Sequence, residues 1–219
     1  MSVPVVTIDG PAASGKSSVS RGLAQQMGWK WVSTGAFYRG LACVAQDIGV
    51  SIEDEAALVA LAESKDWKVV LGEQRTQVFY GKKDMTDQVY TEETGSAASK
   101  ISHYPLVRKS LLQAQRDCAI GVAGLVAEGR DCGTVVFPSA PVKIFLTAHS
   151  ENRAVRRAKE EGRSVEETQK AQQIRDRQDS TRQAAPLQVP EGAVVVDTSE
   201  MGLNQVIDHV VAIVRKTIR

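Results

Sequence analysis

Apolar positions along this chain follow two spacings. Short, mostly apolar runs at 3–8, 124–127, 142–146 and 193–196 read as buried strands, and long stretches with helical periodicity lie between them. Apolar strands alternating with helices predict a parallel sheet covered on both faces. After the first run, Val19, Leu23 and Met27 share one helical stripe and Gly28 stands where a helix stops, which predicts a helix over 16–27. Further helices are predicted at 35–49, 53–63, 92–101 and 106–120. The last, at 202–218, carries Leu203, Val206, Ile207, Val210, Val211 and Val214 on one face. Between 67 and 90 the pattern changes. Val69-Val70-Leu71, the polar turn Gly72-Glu73-Gln74-Arg75, then Val78-Phe79-Tyr80 and Gly81-Lys82-Lys83-Asp84 predict a small antiparallel insertion within the parallel fold.

With 219 residues, 42% hydrophobic, the chain is long enough for one α/β domain with a subdomain. Lys+Arg 27 against Asp+Glu 26 leaves a net charge of +1, so no global field recruits nucleic acid or an anionic membrane. The N-terminus lacks a basic segment followed by an apolar one, and no run approaches the ~20 apolar residues of a membrane span, so a cytoplasmic protein is expected. Cys43, Cys118 and Cys132 form no C-x-x-C pair and read as reduced thiols, with no structural metal expected. His103, His149 and His209 are scattered and carry no assigned chemistry. Trp29, Trp31 and Trp67 are expected to pack.

The chemistry begins after the first strand. Gly10-Pro11-Ala12-Ala13-Ser14-Gly15-Lys16-Ser17 fits G-x-x-x-x-G-K-[ST] between a strand and a helix, the context of a phosphate-cradling loop. Its glycines let backbone N–H groups face a polyphosphate, Lys16 adds charge at the β/γ-phosphates, and Ser17 can hold Mg²⁺. This implies binding of a nucleoside triphosphate. Such a loop does not choose among kinases, switch GTPases and motors. No N-K-x-D base-reading motif is present, and motors need more chain, which leaves a small-molecule kinase requiring a second set of cations.

Seven of the fifteen arginines (Arg153, Arg156, Arg157, Arg163, Arg175, Arg177, Arg182) fall within thirty residues. They read as a lid over polyphosphate, with Gly162 as its joint. A solvated helical face is the alternative, since Arg156–Glu160 and Arg157–Glu161 are i,i+4 pairs. Thr34-Gly35-Ala36-Phe37-Tyr38-Arg39 and Glu128-Gly129-Arg130-Asp131-Cys132-Gly133-Thr134 follow the second and third strands, where open α/β sheets bind ligands.

Over essentially its whole length the chain resembles the bacterial cytidylate kinases, nucleoside monophosphate kinases with an extended monophosphate-binding insertion. The resemblance rests on Ile8-Asp9-Gly10-Pro11 into Gly15-Lys16, the Thr34–Arg39 cluster, Ala97-Ala98-Ser99 and Val107-Arg108. It continues through the run from Gly129 to Pro138 and ends with Arg182 before Ala185-Pro186-Leu187. It implies a P-loop NTPase-type α/β fold of about five parallel strands flanked by helices, with core at 1–64, 91–148 and 183–219, insertion at 65–90 and helical lid at 149–182. It implies ATP-dependent phosphorylation of CMP and dCMP with Mg²⁺, by a monomer acting on small molecules. Loop residues 10–17 with Ser18, Arg153 and Arg157 would hold ATP. Ser99, Arg108 and Asp131 would read the cytosine; Thr34, Arg39, Arg130 and Arg182 would hold the acceptor phosphate; Tyr38, Arg175 and Asp179 would face the pentose. Lys16, Arg39, Arg130 and Arg182 would act on the transferring group. The chemistry is coherent, because a carboxylate matches cytosine's amino group and an arginine its acceptors. Relatives often have Gly-Thr where Ser17-Ser18 stand, so either serine can face the metal. Glu128 stands where aspartate is frequent, and either reaches Mg²⁺ through water or satisfies its turn. Cys132 reads as a small packing residue, since no base adjoins it. A kinase for UMP, AMP, dephospho-coenzyme A or shikimate and a non-catalytic nucleotide switch are the rivals.

Overall fold

The computed structural model describes residues 3–218, without the side chains of Glu160 and Glu161, so the two expected i,i+4 pairs lie outside the described residues. Strand β1 (Val5–Asp9) leads through the glycine-rich loop into α1 (Lys16–Met27), followed by β2 (Lys30–Ser33), α2 (Gly35–Asp47) and α3 (Glu55–Glu63). The insertion contains β3 (Trp67–Leu71), β4 (Thr76–Tyr80), β5 (Lys83–Asp84) and a short α4 (Thr86–Val89). Helices α5 (Glu92–Ile101) and α6 (Pro105–Asp117) lead to β6 (Leu125–Gly129), a wide turn at Cys132–Val136, and β7 (Val142–Thr147). The chain ends with α7 (Ser150–Glu161), α8 (Val165–Thr181), β8 (Val194–Asp197) and α9 (Leu203–Thr217).

The main sheet is parallel with strand order β2-β6-β1-β7-β8. Its pleat divides β6 between two cores: Leu125 and Ala127 face the layer of α2, α3, α5 and α6, while Val126 faces α1 and α9. Both faces are dry, which is why the strands read as apolar runs instead of alternating ones. Fully buried Leu23, Leu41, Ile144 and Leu146 each contribute ~1.5–3 kcal/mol. Register does the functional work. Asp9 pairs with Gly129 and Ser33 with Glu128, so the segments that follow β1, β2 and β6 leave the sheet at one edge.

Most predicted elements are present, with ends moved by a few residues; β1 starts at Val5, and α6 stops at Asp117. The insertion is a three-stranded antiparallel sheet, β3-β4-β5. The unpredicted α4 forms because Asp84 accepts from the Thr86 N–H (2.9 Å) while buried Met85 anchors the turn. Leu203 departs from its expected stripe: it is the first residue of α9 and 48% exposed, and the buried face begins at Val206. Trp31 and Trp67 are buried and Trp29 half-buried. Gly162, at φ 65, ends α7, and α8 then doubles back along α7 and packs against α5. Among the described residues, no helix is long and apolar enough to cross a membrane.

Candidate active site

The three converging segments, with α5 and α8, enclose a cleft of about 580 Å³. Its wall at the end of β1 depends on Gly10, at φ 150, where a Cβ would stand 2.1 Å from the Leu146 carbonyl oxygen. Gly15, in the left-handed conformation at φ 86, turns the chain into α1. The Lys16 side chain folds back, donating from Nζ to the Pro11 carbonyl (2.6 Å) and toward Ser14 Oγ (3.4 Å). Burial, reinforced by nearby Arg130, lowers its pKa to about 7, against the opposing pull of Glu128. A buried ammonium held by neutral oxygens suits an arriving polyanion.

Ser17 Oγ donates to Glu128 Oε1 at 3.0 Å. The Glu128 backbone carbonyl, not its carboxylate, satisfies the turn, accepting from Thr34 N (2.9 Å) and Thr34 Oγ1 (3.0 Å). A hydroxyl beside a carboxylate is the oxygen donor set that suits a hard divalent ion. Ser18 also lines the cleft. Asp9, fully buried at the end of β1, accepts from the N–H groups of Cys132 (2.8 Å) and Gly133 (2.7 Å), which shapes the wide turn after β6. Burial raises its pKa to about 6 although both hydrogen bonds pull down. Cys132 is fully buried against Thr34, with its thiol pushed well up by burial, so it packs and stays protonated.

Cations and carboxylates alternate across the cleft floor. Arg108 pairs with Asp131 and stacks over the Tyr38 ring at 5.4 Å. Arg182 Nη2 lies 3.7 Å from Asp131 Oδ1 and Arg182 Nη1 3.9 Å from Asp179 Oδ1, while its Nε donates to the Ala185 carbonyl at 2.7 Å. Arg130 donates to Asp179 Oδ2 (2.6 Å) and to the Gly10 carbonyl (3.1 Å). Burial works against the Arg130 charge, but Asp179, Glu128 and Asp176 together outweigh it and raise the pKa; for Arg182 burial prevails and the pKa falls. Arg39 Nη1 is held by the carbonyls of Val89 (2.9 Å) and Thr91 (3.0 Å), with its pKa lowered to about 10 by burial and by Arg175. Arg175 pairs with Glu92.

Of the residues singled out from sequence, Ala12, Ala13, Lys16, Ser17, Ser18, Thr34, Tyr38, Arg39, Ser99, Arg130, Asp131, Arg157, Arg175, Asp179 and Arg182 line the cleft. Gly10, Pro11, Ser14 and Gly15 shape the loop, and Arg108 stands behind Asp131. Arg153 lies outside the lining: it is buried behind the loop, donating to the Ala12 carbonyl at 2.7 Å. Sequence reasoning passed over Glu92 and Gly95 on α5, Asp176 on α8, and Arg21, Gln74 and Arg75, which also line or brace the cleft. By sequence Arg21, Glu92, Gly95 and Asp176 look like ordinary helix residues and Gln74 and Arg75 like ordinary turn residues, and only tertiary contact sets them apart.

A cytidylate kinase family model matches residues 6–216. A cytidylate kinase of Bdellovibrio bacteriovorus is 58% identical over 214 residues, covering 98% of this chain and 99% of that one. A cytidylate kinase of Methylococcus capsulatus is 45% identical over 219 residues, with 97% of each chain covered. Among solved structures, TT1252 from Thermus thermophilus superposes with a TM-score of 0.51 at 17% identity over the full length of both chains, a likeness of fold. With a matching family model over nearly its whole length and relatives of this identity, the chain belongs to the cytidylate kinase family.

Proposed function

We propose that this protein transfers the γ-phosphoryl group of ATP to CMP and dCMP, giving CDP, dCDP and ADP, through the following division of labour in the cleft. The chain is a nucleoside monophosphate kinase that uses ATP and Mg²⁺. Loop residues 10–17 cradle the donor triphosphate, with Lys16 and Arg157 supplying charge. Ser17 and Glu128 stand ready for Mg²⁺, which when bound neutralises charge on the nucleotide oxygens. Arg39, Arg130 and Arg182 hold the acceptor phosphate, with Thr34 beside it. Ser99, Arg108 and Asp131 read the cytosine, and Tyr38, Arg175 and Asp179 face the pentose. The arginines stabilise charge on the transferring oxygens and align the acceptor, so no covalent intermediate with the protein is needed.

One observation carries the acceptor assignment. Arg182 Nη2 is buried and, among the described residues, has no hydrogen-bond partner. A buried unmet donor costs ~1–3 kcal/mol, and an anionic ligand in the cleft relieves that cost. The same reading takes 65–90 as the monophosphate-binding insertion, 149–182 as a lid excluding water from ATP, and the remainder as core. It also takes the protein as a cytoplasmic monomer without a nucleic-acid partner, consistent with its net charge of +1.

The test is ADP formation from Mg·ATP with CMP, dCMP, UMP, AMP and GMP in parallel, with Lys16→Ala as the blank. Turnover confined to CMP and dCMP is expected. Fast turnover with another acceptor would discard the base-reading roles, and ATP binding without turnover would discard the kinase reading.

A further inference from the structure

The glycine-rich loop is held from behind at one residue, Ala12, through the peptides on either side of it. Asp176 Oδ1 accepts from the Ala12 N–H at 2.9 Å, and Arg153 Nη1 donates to the Ala12 carbonyl at 2.7 Å. The two side chains are themselves paired, Arg153 Nη1 to Asp176 Oδ2 at 2.7 Å. Arg153 is further braced by its Nε to the Ala148 carbonyl at 3.2 Å. The next residue, Ala13, has φ 56, a left-handed conformation that a residue with a Cβ adopts only when its surroundings impose it.

A carboxylate against the backbone of an anion-binding loop needs explanation, because alone it would repel a polyphosphate. Here Arg153 neutralises it, and the pair supplies both an acceptor and a donor to residue 12. Asp176 and Arg153 sit on α8 and α7, so the contact exists only while that helix pair is docked against the loop.

We propose that Asp176, backed by Arg153, is a positioning residue for the donor nucleotide: it latches the Ala12 N–H, with Arg153 on the Ala12 carbonyl, so that Ala13 stays left-handed and the loop keeps its phosphate-binding shape. Neither side chain needs to touch ATP. Docking of α7 and α8 thereby prepares the loop, and undocking lets Ala13 relax. This rests on the kinase reading, since it presumes that the loop binds ATP.

Glycine visits positive φ about as readily as negative φ, so Ala13→Gly supplies by composition what the latch supplies by contact. The experiment is a double-mutant cycle read by calorimetric titration of ATP without CMP, on wild type, Asp176→Ala, Ala13→Gly and the double variant. Asp176→Ala is expected to weaken ATP binding about 5- to 30-fold, the equivalent of about 1–2 kcal/mol for an unsupported left-handed alanine. Whatever Ala13→Gly does by itself, the loss caused by Asp176→Ala should shrink to less than about threefold when it is measured in the Ala13→Gly background. Equal factors in both backgrounds, or wild-type affinity in Asp176→Ala, would overturn the latch. Asp176→Asn serves if the alanine variant fails to fold, because its amide oxygen still accepts from Ala12. Affinity within about threefold of wild type is expected, and a loss above tenfold would assign the effect to charge and overturn the proposal. Failure of the wild type itself to bind ATP would instead overturn the kinase reading.

Discussion

Gly95 offers a substitution in which stability and activity should move in opposite directions. It lies inside α5, where alanine is favoured over glycine by ~0.8–1 kcal/mol. For 219 residues that amounts to a gain of about 2–4 °C in Tm, before any strain. The added Cβ, however, would stand 2.6 Å from Arg39 Nη2 and 3.1 Å from both Arg39 Cζ and Arg175 Nη2. Arg39 cannot yield freely, because its other terminal nitrogen is pinned by the carbonyls of Val89 and Thr91. With Nη1 kept on those carbonyls and Nη2 pushed aside, Arg39 loses one charged-donor hydrogen bond to the acceptor phosphate, which costs ~1.5–3 kcal/mol, about a 10- to 150-fold loss. Gly95→Ala should therefore lower kcat/KM for CMP by that factor, leave the affinity for ATP alone within about twofold, and leave Tm unchanged or higher. The assay is coupled ADP release with varied CMP, alongside ATP titration and thermal unfolding. CMP kinetics within twofold of wild type, or an equal loss of ATP affinity, would refute the argument that this glycine makes room for two acceptor-site guanidiniums.

The pKa of Lys16, lowered to about 7 from its ordinary 10.5, makes a prediction with a definite sign. Between those values the unfolded chain holds the proton and the folded chain does not, so stability of the ligand-free protein rises with pH from 7 to 10.5. Urea unfolding at pH 7 and pH 9 should show a gain approaching ~2–3 kcal/mol that Lys16→Met abolishes; an equal gain in Lys16→Met would place its origin elsewhere. ATP binding should run the other way, weakening above pH 7 by up to about tenfold per pH unit, because the ligand binds the protonated lysine. Asp131→Asn should shift preference from CMP toward UMP, since an amide can donate to the uracil carbonyl. It should also lower stability measurably, by taking a charge from buried Arg108 and Arg182. Equal loss with both nucleotides would assign Asp131 a structural role only.

The sequence by itself determined what is local. Apolar runs that need cover on both faces specified the parallel strands, helical stripes specified α1 and α9, and the eight residues from Gly10 to Ser17 specified the anion-binding loop by chain geometry alone. The antiparallel insertion was legible as a hairpin, because its turns are written in consecutive residues, but its third strand β5 was not. Short-range signals fail where a partner is distant in the chain. That Asp9 caps the turn after β6, that Glu128 offers Ser17 its carboxylate while its carbonyl closes the turn, and that Gly95 yields space to Arg39 follow from strand register and helix packing. The arginine-rich stretch shows the division most clearly. Its composition announced cations, but only docking of α7 and α8 turned Arg153 into a brace behind the loop and set Arg175 and Arg182 in the cleft. A buried charge takes its role from the partner that neutralises it, and the folded chain alone decides which partner that is.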